Sequence, residues 1–258
     1  MTAVDSPPAS ATFLDMQANV GITKHIGGIE ATNELLSLCQ IGDAREVLNV
    51  GCGIGVGSAH IAKRYPCHVV GVDISEKMIE WSQRRAREEG IEAKVEFRTA
   101  DVMDLPFEAG RFDVVFAESV LIFVEDKAQA IRECVRVTRP GGHVGLNEGY
   151  WITRPSPELL ARVKVAVGPH VPTLEDWQAL WDASGLKERV VKTHQVDART
   201  EVKSRIQWIG WRWLVRAWGR ALRLYVANPA IRQSIKDQFD VPSEVLDLLG
   251  YALLVGKK

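Results

Sequence analysis

From Glu46 to about Glu148, short apolar runs alternate with segments of helical periodicity, the pattern of successive βαβ units around a parallel sheet. Five runs read as strands: Val47–Val50, His68–Val72, Lys94–Phe97, Phe112–Phe116 and His143–Leu146. Between the second and third, Ser75 stands as a helix N-cap, Glu76 suits the positive end of the helix dipole, and Gly90 falls where a left-handed C-cap is wanted. A further helix, about Asp126 to Val137, stops at Arg139-Pro140-Gly141-Gly142, a turn that feeds the fifth strand.

After Trp151 the texture changes. Pro155, Pro157, Pro169 and Pro172 break up a connecting segment. Thr173 caps a helix that runs to Ser184, with Trp177, Leu180 and Trp181 on one face and Gly185 as its stop. Leu186–Val196 reads as a sixth strand and Gly250–Gly256 as the last. Between them a helical stretch, about Glu201 to Ala227, breaks at Asn228-Pro229, and a second piece continues to about Phe239. The predicted architecture is α/β, a mostly parallel seven-stranded sheet with helices on both faces and a helical insertion between the last two strands. Residues 1–30 are expected to form a tail and lid segment, and residues 31–258 one domain carrying a helical cap at about 200–240. An insertion in that place is expected to cover the substrate.

Composition narrows the class. The 258 residues carry a net charge of -1, without the basic excess of a dedicated nucleic-acid binder. Cys39, Cys52, Cys67 and Cys134 are widely separated and form no C-x-x-C pair, so they are expected to be reduced thiols packed as small apolar groups, with no metal site. Met1–Ala11 lacks a basic stretch followed by an apolar core and reads as a frayed tail rather than a signal peptide. No stretch approaches the roughly 20 apolar residues of a membrane span. A cytoplasmic protein is expected.

Candidate chemistry begins at Val47-Leu-Asn49-Val-Gly51-Cys52-Gly53-Ile-Gly55, a buried-type strand running into a glycine-rich turn. Glycine lets a backbone turn sharply and lets a ligand approach without meeting a Cβ. A dinucleotide fingerprint needs a third glycine where this chain has Val56, which argues against a nicotinamide-dependent oxidoreductase. Two acids follow at strand ends. Asp73 closes the second strand, where a carboxylate accepts hydrogen bonds from ribose hydroxyls, and Asp101 follows the third, where it can accept from an adenine amino group or simply cap a turn.

In this order the features resemble the class I S-adenosylmethionine-dependent methyltransferases over roughly Thr32–Glu148. Within that class, Leu105-Pro-Phe, Phe112–Ser119 and Arg136–Gly142 are similar in pattern to the quinone-biosynthesis C-methyltransferases, and Glu118 and Glu148 to positions in sterol-type C-methyltransferases. The resemblance implies a Rossmann-like fold and S-adenosyl-L-methionine as cofactor. It implies that Gly51, Cys52, Gly53 and Gly55 pass under the methionine part, that Asp73 holds the ribose, that Ile74 packs against adenine, and that Asp101 and Val102 bind its edge. Asn49 stands where the family usually has Asp, so it can accept a hydrogen bond but brings no charge to the cofactor's cationic end. Glu118 is a further candidate at that end.

Methyl transfer from a sulfonium is an in-line displacement, so the protein chiefly positions the acceptor and excludes water; a base is needed only where the acceptor must lose a proton. Acceptors are expected over the C-terminal strand ends, which nominates Glu148 as base or cation partner and Ser119, Tyr150 and Trp151 as acceptor contacts. His25, in the Gly21–Gly28 lid segment, is a second candidate base. The expected substrate is a small acceptor, lipophilic or aromatic, with carbon methylation ahead of N-, O- or S-methylation of a polar molecule; a non-catalytic cofactor-binding relative is the remaining reading.

Lys203–Arg223 holds six basic residues, no acid, and four of the chain's eight tryptophans. At about 100° per residue, Arg205, Arg212, Arg216, Arg220 and Arg223 share one arc beside an apolar stripe of Trp208, Trp211, Val215, Trp218 and Leu222. Three uses stay open for 203–223: a cap whose aromatic face packs on the core and acceptor pocket, a homodimer interface, or a peripheral membrane contact.

Overall fold

The computed structural model describes residues 9–23, 25–161, 171–196, 208–227, 232 and 244–258. Seven strands form one sheet: β1 Glu46–Val50, β2 His68–Asp73, β3 Val95–Thr99, β4 Phe112–Glu118, β5 Thr138–Trp151, β6 Lys187–Gln195 and β7 Leu249–Lys257, in the order β3-β2-β1-β4-β5-β7-β6. All pairs are parallel up to β5; β7 runs antiparallel between β5 and β6. All seven strands fall where the sequence places them. The fifth is longer than its apolar run, because Thr138 already pairs with Phe112 and Gly141 N–H donates to Lys258 O at 2.9 Å.

Alternation along the central strands builds two cores. Leu48, Val50, Val70, Val72, Val115 and Ala117 face one layer, while Val47, Val69, Val114 and Phe116 face the other. The helices α1 Ala9–Val20, α2 Gly28–Leu38, α3 Val56–Arg64, α4 Glu76–Glu89, α5 Lys127–Val137, α6 Leu174–Asp182 and α7 Trp211–Ala227 surround the sheet. α1 begins inside the stretch expected to be a frayed tail.

The predicted caps hold. Ser75 accepts from Met78 N–H, Gly90 closes α4 with φ 64, and Thr173 forms a reciprocal capping box with Asp176. Trp177 and Trp181 of α6 are fully buried against β5 and β7, each indole N–H donating to a strand carbonyl, Gly149 O at 3.0 Å and Val255 O at 3.4 Å. All four cysteines are free and buried.

α7 lies in sequence between β6 and β7, within the expected insertion. Its orientation departs from one of the three uses left open, a cap with the aromatic stripe packed on the core. Trp213 and Ala217 are the buried residues, with Leu214, Ala221 and Leu224 packed beside them against α1 and its neighbours. Trp211, Val215, Trp218 and Leu222 face outward, so of the apolar stripe only Trp208 is buried. Hydrogen bonds and ring contacts decide this. Trp213 Nε1 donates to Gly21 O at 2.7 Å, Arg220 Nε donates to Val20 O at 2.7 Å, and the Arg220 and Arg85 guanidinium groups lie 4.3 Å over Trp81 and Trp213. Residues 201–207 and the second helical piece, Arg232 apart, lie outside the described residues.

Candidate active site

In β3-β2-β1-β4-β5 the strand order reverses between the parallel strands β1 and β4, and open α/β sheets take ligands beyond the C-terminal strand ends at such a point. The glycine turn leaves β1 there. Gly51, Gly53 and Gly55 all have positive φ (66, 54 and 75), which no other residue adopts at comparable cost. The space beside them is filled by the protein's own side chains. A Cβ at Gly51 would stand 2.2 Å from Val120 Cγ2, and one at Gly53 would stand 2.7 Å from Thr23 Oγ1. Gly51→Ala is therefore expected to destabilise the fold by about 2 kcal/mol, lowering the melting temperature by about 4–8 °C. Adding Val120→Ala should return about 1 kcal/mol of that. Strictly additive effects in thermal melts would rule out this contact.

Sequence reading missed the residues of α4 that lock the turn. Ser82 Oγ donates to Gly53 O at 2.7 Å and Arg85 Nε donates to Ile54 O at 3.0 Å. Both side chains are buried, and helical periodicity alone cannot say that they face a loop rather than the sheet.

Asp73 joins the turn to β2. Its carboxylate accepts from Gly53 N–H and from Ser75 N–H, each at 2.9 Å. Burial pushes this carboxyl above the usual range, opposed by those two bonds. Cys52 beside it is a buried thiol raised well above its ordinary value, first by burial and then by the Asp73 charge. Asp101 lies on the adjacent strand end, two residues beyond Thr99, which pairs with Asp73. Its Oδ1 caps a turn by accepting from Met103 N–H at 2.9 Å. Ile74, next to Asp73, is 66% exposed, whereas Val102 is buried in the core. Asn49 is buried and donates to Ser58 Oγ at 3.0 Å, so its amide engages α3.

A second group gathers over the ends of β4 and β5. Glu118 Oε1 accepts from Thr32 Oγ1 at 2.8 Å and from Asn147 Nδ2 at 3.3 Å. Thr32 has one hydroxyl hydrogen, and the Glu118 contact is shorter than its 3.3 Å contact to Gly28 O. The contact between Thr32 Oγ1 and His25 Nε2 at 3.2 Å then requires His25 to donate from Nε2, which leaves Nδ1 as the proton-accepting nitrogen of the neutral ring. Trp208 packs edge-on against His25, with ring centroids 5.0 Å apart, and tilted against His60 at 5.4 Å. Ser119, with φ 55, accepts from Ile26 N–H at 3.1 Å, and Asn147 Nδ2 donates to Ile26 O at 2.8 Å, so residues 25 and 26 are held over the strand ends.

Three nominated residues are placed elsewhere. Glu148 is fully buried, and its carboxylate accepts from Val120, Leu121 and Ile122 N–H at 2.9, 2.9 and 3.3 Å. Burial pushes its carboxyl up to about 7 against those bonds and the nearby Lys127 charge. It is an anchor for the turn after β4, enclosed away from any acceptor. Tyr150 packs in the main core, and Trp151 packs with Val245 and Leu249, because β5 continues through both and pairs with β7 at Gly250 and Leu249.

Residues 48–146 match the family model of the methyltransferase domain. The phosphoethanolamine N-methyltransferase of Triticum aestivum is 34% identical over 140 residues, 54% of this chain and 27% of that protein. The chain thus spans about a quarter of that relative's length. The [4+2]-cyclase SpnF superposes over 97% of this chain and 94% of its own with a TM-score of 0.75 at 20% identity. A geranyl diphosphate methyltransferase in complex with S-adenosylmethionine covers 88% of this chain and 84% of its own, with a TM-score of 0.62 at 20% identity. At these identities the structural likeness is one of fold.

Proposed function

We propose that the chain, whose residues 48–146 match the methyltransferase domain family on a sheet of this order, is a class I S-adenosylmethionine-dependent methyltransferase that transfers a methyl group to a small lipophilic or aromatic acceptor. The observation that carries this reading is the shared edge formed by the Gly51–Gly55 turn, Asp73 and Asp101 at the ends of three adjacent strands. The residues present fit the cofactor. Exposed Ile74 offers an apolar shelf for a flat base, and the carboxylates on either side have lone pairs to accept hydroxyl and amino hydrogens.

When bound, S-adenosylmethionine supplies a methyl group on a positively charged sulfur. In this reading Asp73 accepts from the ribose hydroxyls and Asp101 with Ile74 holds the base. Gly51, Cys52 and Gly53 lie under the amino-acid part, and Glu118 supplies the negative charge that Asn49 lacks. His25 Nδ1 takes the proton from an acceptor that must lose one. Thr32 and Glu118 orient the imidazole. Ser119 acts through Ile26 to keep His25 over the strand ends. Carbon methylation is placed first, on the motif resemblance; the N-methyltransferase relative favours nitrogen as the second acceptor atom.

The test is methyl transfer from labelled S-adenosylmethionine to a panel of phenols, quinols, isoprenoids and amines. Product is expected in the organic-extractable fraction. His25→Ala should lower kcat about a hundredfold for acceptors that must be deprotonated, with cofactor affinity unchanged. Wild-type turnover in that variant would remove His25 as the base. Cofactor binding without transfer to any member of the panel would overturn the catalytic reading.

A further inference from the structure

The outward face of α7 carries Trp211, Val215, Trp218, Leu222 and Val226, each 63–73% exposed. Their spacing keeps them within an arc of about 80°, roughly opposite the buried Trp213 and Ala217. The stripe runs about 22 Å along the helix. Isolated exposed apolar residues are ordinary, but a continuous row of two tryptophans and three aliphatics is not. Arg212, Arg216 and Arg223, all exposed, lie along one flank, and the helix contains no acid. Arg216 pairs with Glu88 of α4 at 3.2 Å, while Arg212 stacks on Trp211 at 5.5 Å.

We infer that this face is a docking surface for an anionic lipid bilayer, with α7 lying in the plane of the interface. Charge selects the occupant. A second copy of the chain would bring three more exposed arginines, and no acid from the same helix, to one seam; an anionic headgroup layer supplies the missing negative charge. The residue types agree. Tryptophan beside arginine suits the headgroup boundary, and a narrow apolar row beside a cationic row is the pattern of helices that lie on a membrane. No described helix is long and apolar enough to cross one. The packing on the opposite face keeps α7 helical before any contact, so docking needs no folding step.

The experiment is co-sedimentation of the intact protein with vesicles of phosphatidylcholine alone and with vesicles holding three parts phosphatidylglycerol to seven of phosphatidylcholine. Wild type is expected to bind the mixed vesicles about tenfold more tightly than the neutral ones, and to be released by high salt. Trp218→Ser with Leu222→Ser should lose about tenfold or more in affinity for the mixed vesicles. Arg212→Gln with Arg223→Gln should abolish the preference for phosphatidylglycerol. Both pairs replace exposed residues, and unchanged thermal melts would separate lost docking from lost folding. No binding by wild type, equal binding to the two vesicle kinds, or undiminished binding by the Trp218/Leu222 variant would overturn the inference. So would a dimer in sedimentation equilibrium that the same variant dissociates, since the stripe would then belong to a second copy.

Discussion

Asp73→Ala is expected to weaken binding of S-adenosylmethionine and of its demethylated product about a hundredfold in isothermal titration. The carboxylate is proposed to accept two hydroxyl hydrogens, and hydrogen bonds to a charged acceptor contribute about 1.5–3 kcal/mol each. A loss of about 3 kcal/mol corresponds to about two decades in Kd. Alanine also frees Gly53 and Ser75 N–H, which the carboxylate now accepts, so the turn loses its tie to β2. Asp73→Asn keeps one acceptor oxygen and should sit between the two, about tenfold weaker than wild type. Both variants should fold, as the melting of the ligand-free proteins will report. If folded Asp73→Ala titrates with wild-type affinity, the ribose does not lie on this residue.

The second large effect is on stability. Glu148→Leu leaves the Val120, Leu121 and Ile122 N–H groups without their acceptor in a buried turn, at a cost of at least about 3 kcal/mol. The melting temperature should fall by about 6–12 °C. The wild-type carboxyl adds a pH signature. Its folded pKa is raised from the ordinary 4.5 to about 7. Between those values the folded chain holds a proton that the unfolded chain has released. Stability is therefore fully present below pH 4.5 and declines as pH rises through about 7, by about 3 kcal/mol in all. Glu148→Gln carries no such proton. The difference in unfolding free energy between wild type and Glu148→Gln, from denaturant melts across this window, cancels other titrating groups. A flat difference would show that the buried carboxylate ionises normally.

Both predictions rest on contacts that differ in how legible they are. The strands, the glycine turn and the caps at Ser75, Gly90 and Thr173 depend on neighbours within a few residues. Their chemistry is written locally: apolar runs for buried strands, φ of either sign for glycine, side-chain oxygens for exposed N–H groups. Asp73 and Asp101 could be nominated in the same way, since parallel strands joined by helices bring their C-terminal ends to one edge.

The contacts around Glu118 and Glu148 span much longer separations. Thr32 meets Glu118 across 86 positions and Asn147 meets Ile26 across 121, and no periodicity in either segment announces the pairing. Glu148 ends an apolar run just as a site acid would. Only the turn folded over it, with three N–H groups aimed at one carboxylate, makes it an anchor.

What the amino-acid order determined by itself was the α/β architecture, the strand sequence and the glycine-and-acid edge, because side-chain alternation in a strand, backbone freedom in a turn and capping at a helix end are local properties. What the tertiary structure decided was which way the amphipathic helix faces and which acids are enclosed. Helix α7 is apolar on more than one side, with Trp213 at one face and Trp218 at the other. Burial went to the side where the Gly21 and Val20 carbonyls and the Trp81 ring met its indole and guanidinium groups, a choice made by partners 139 to 200 positions away.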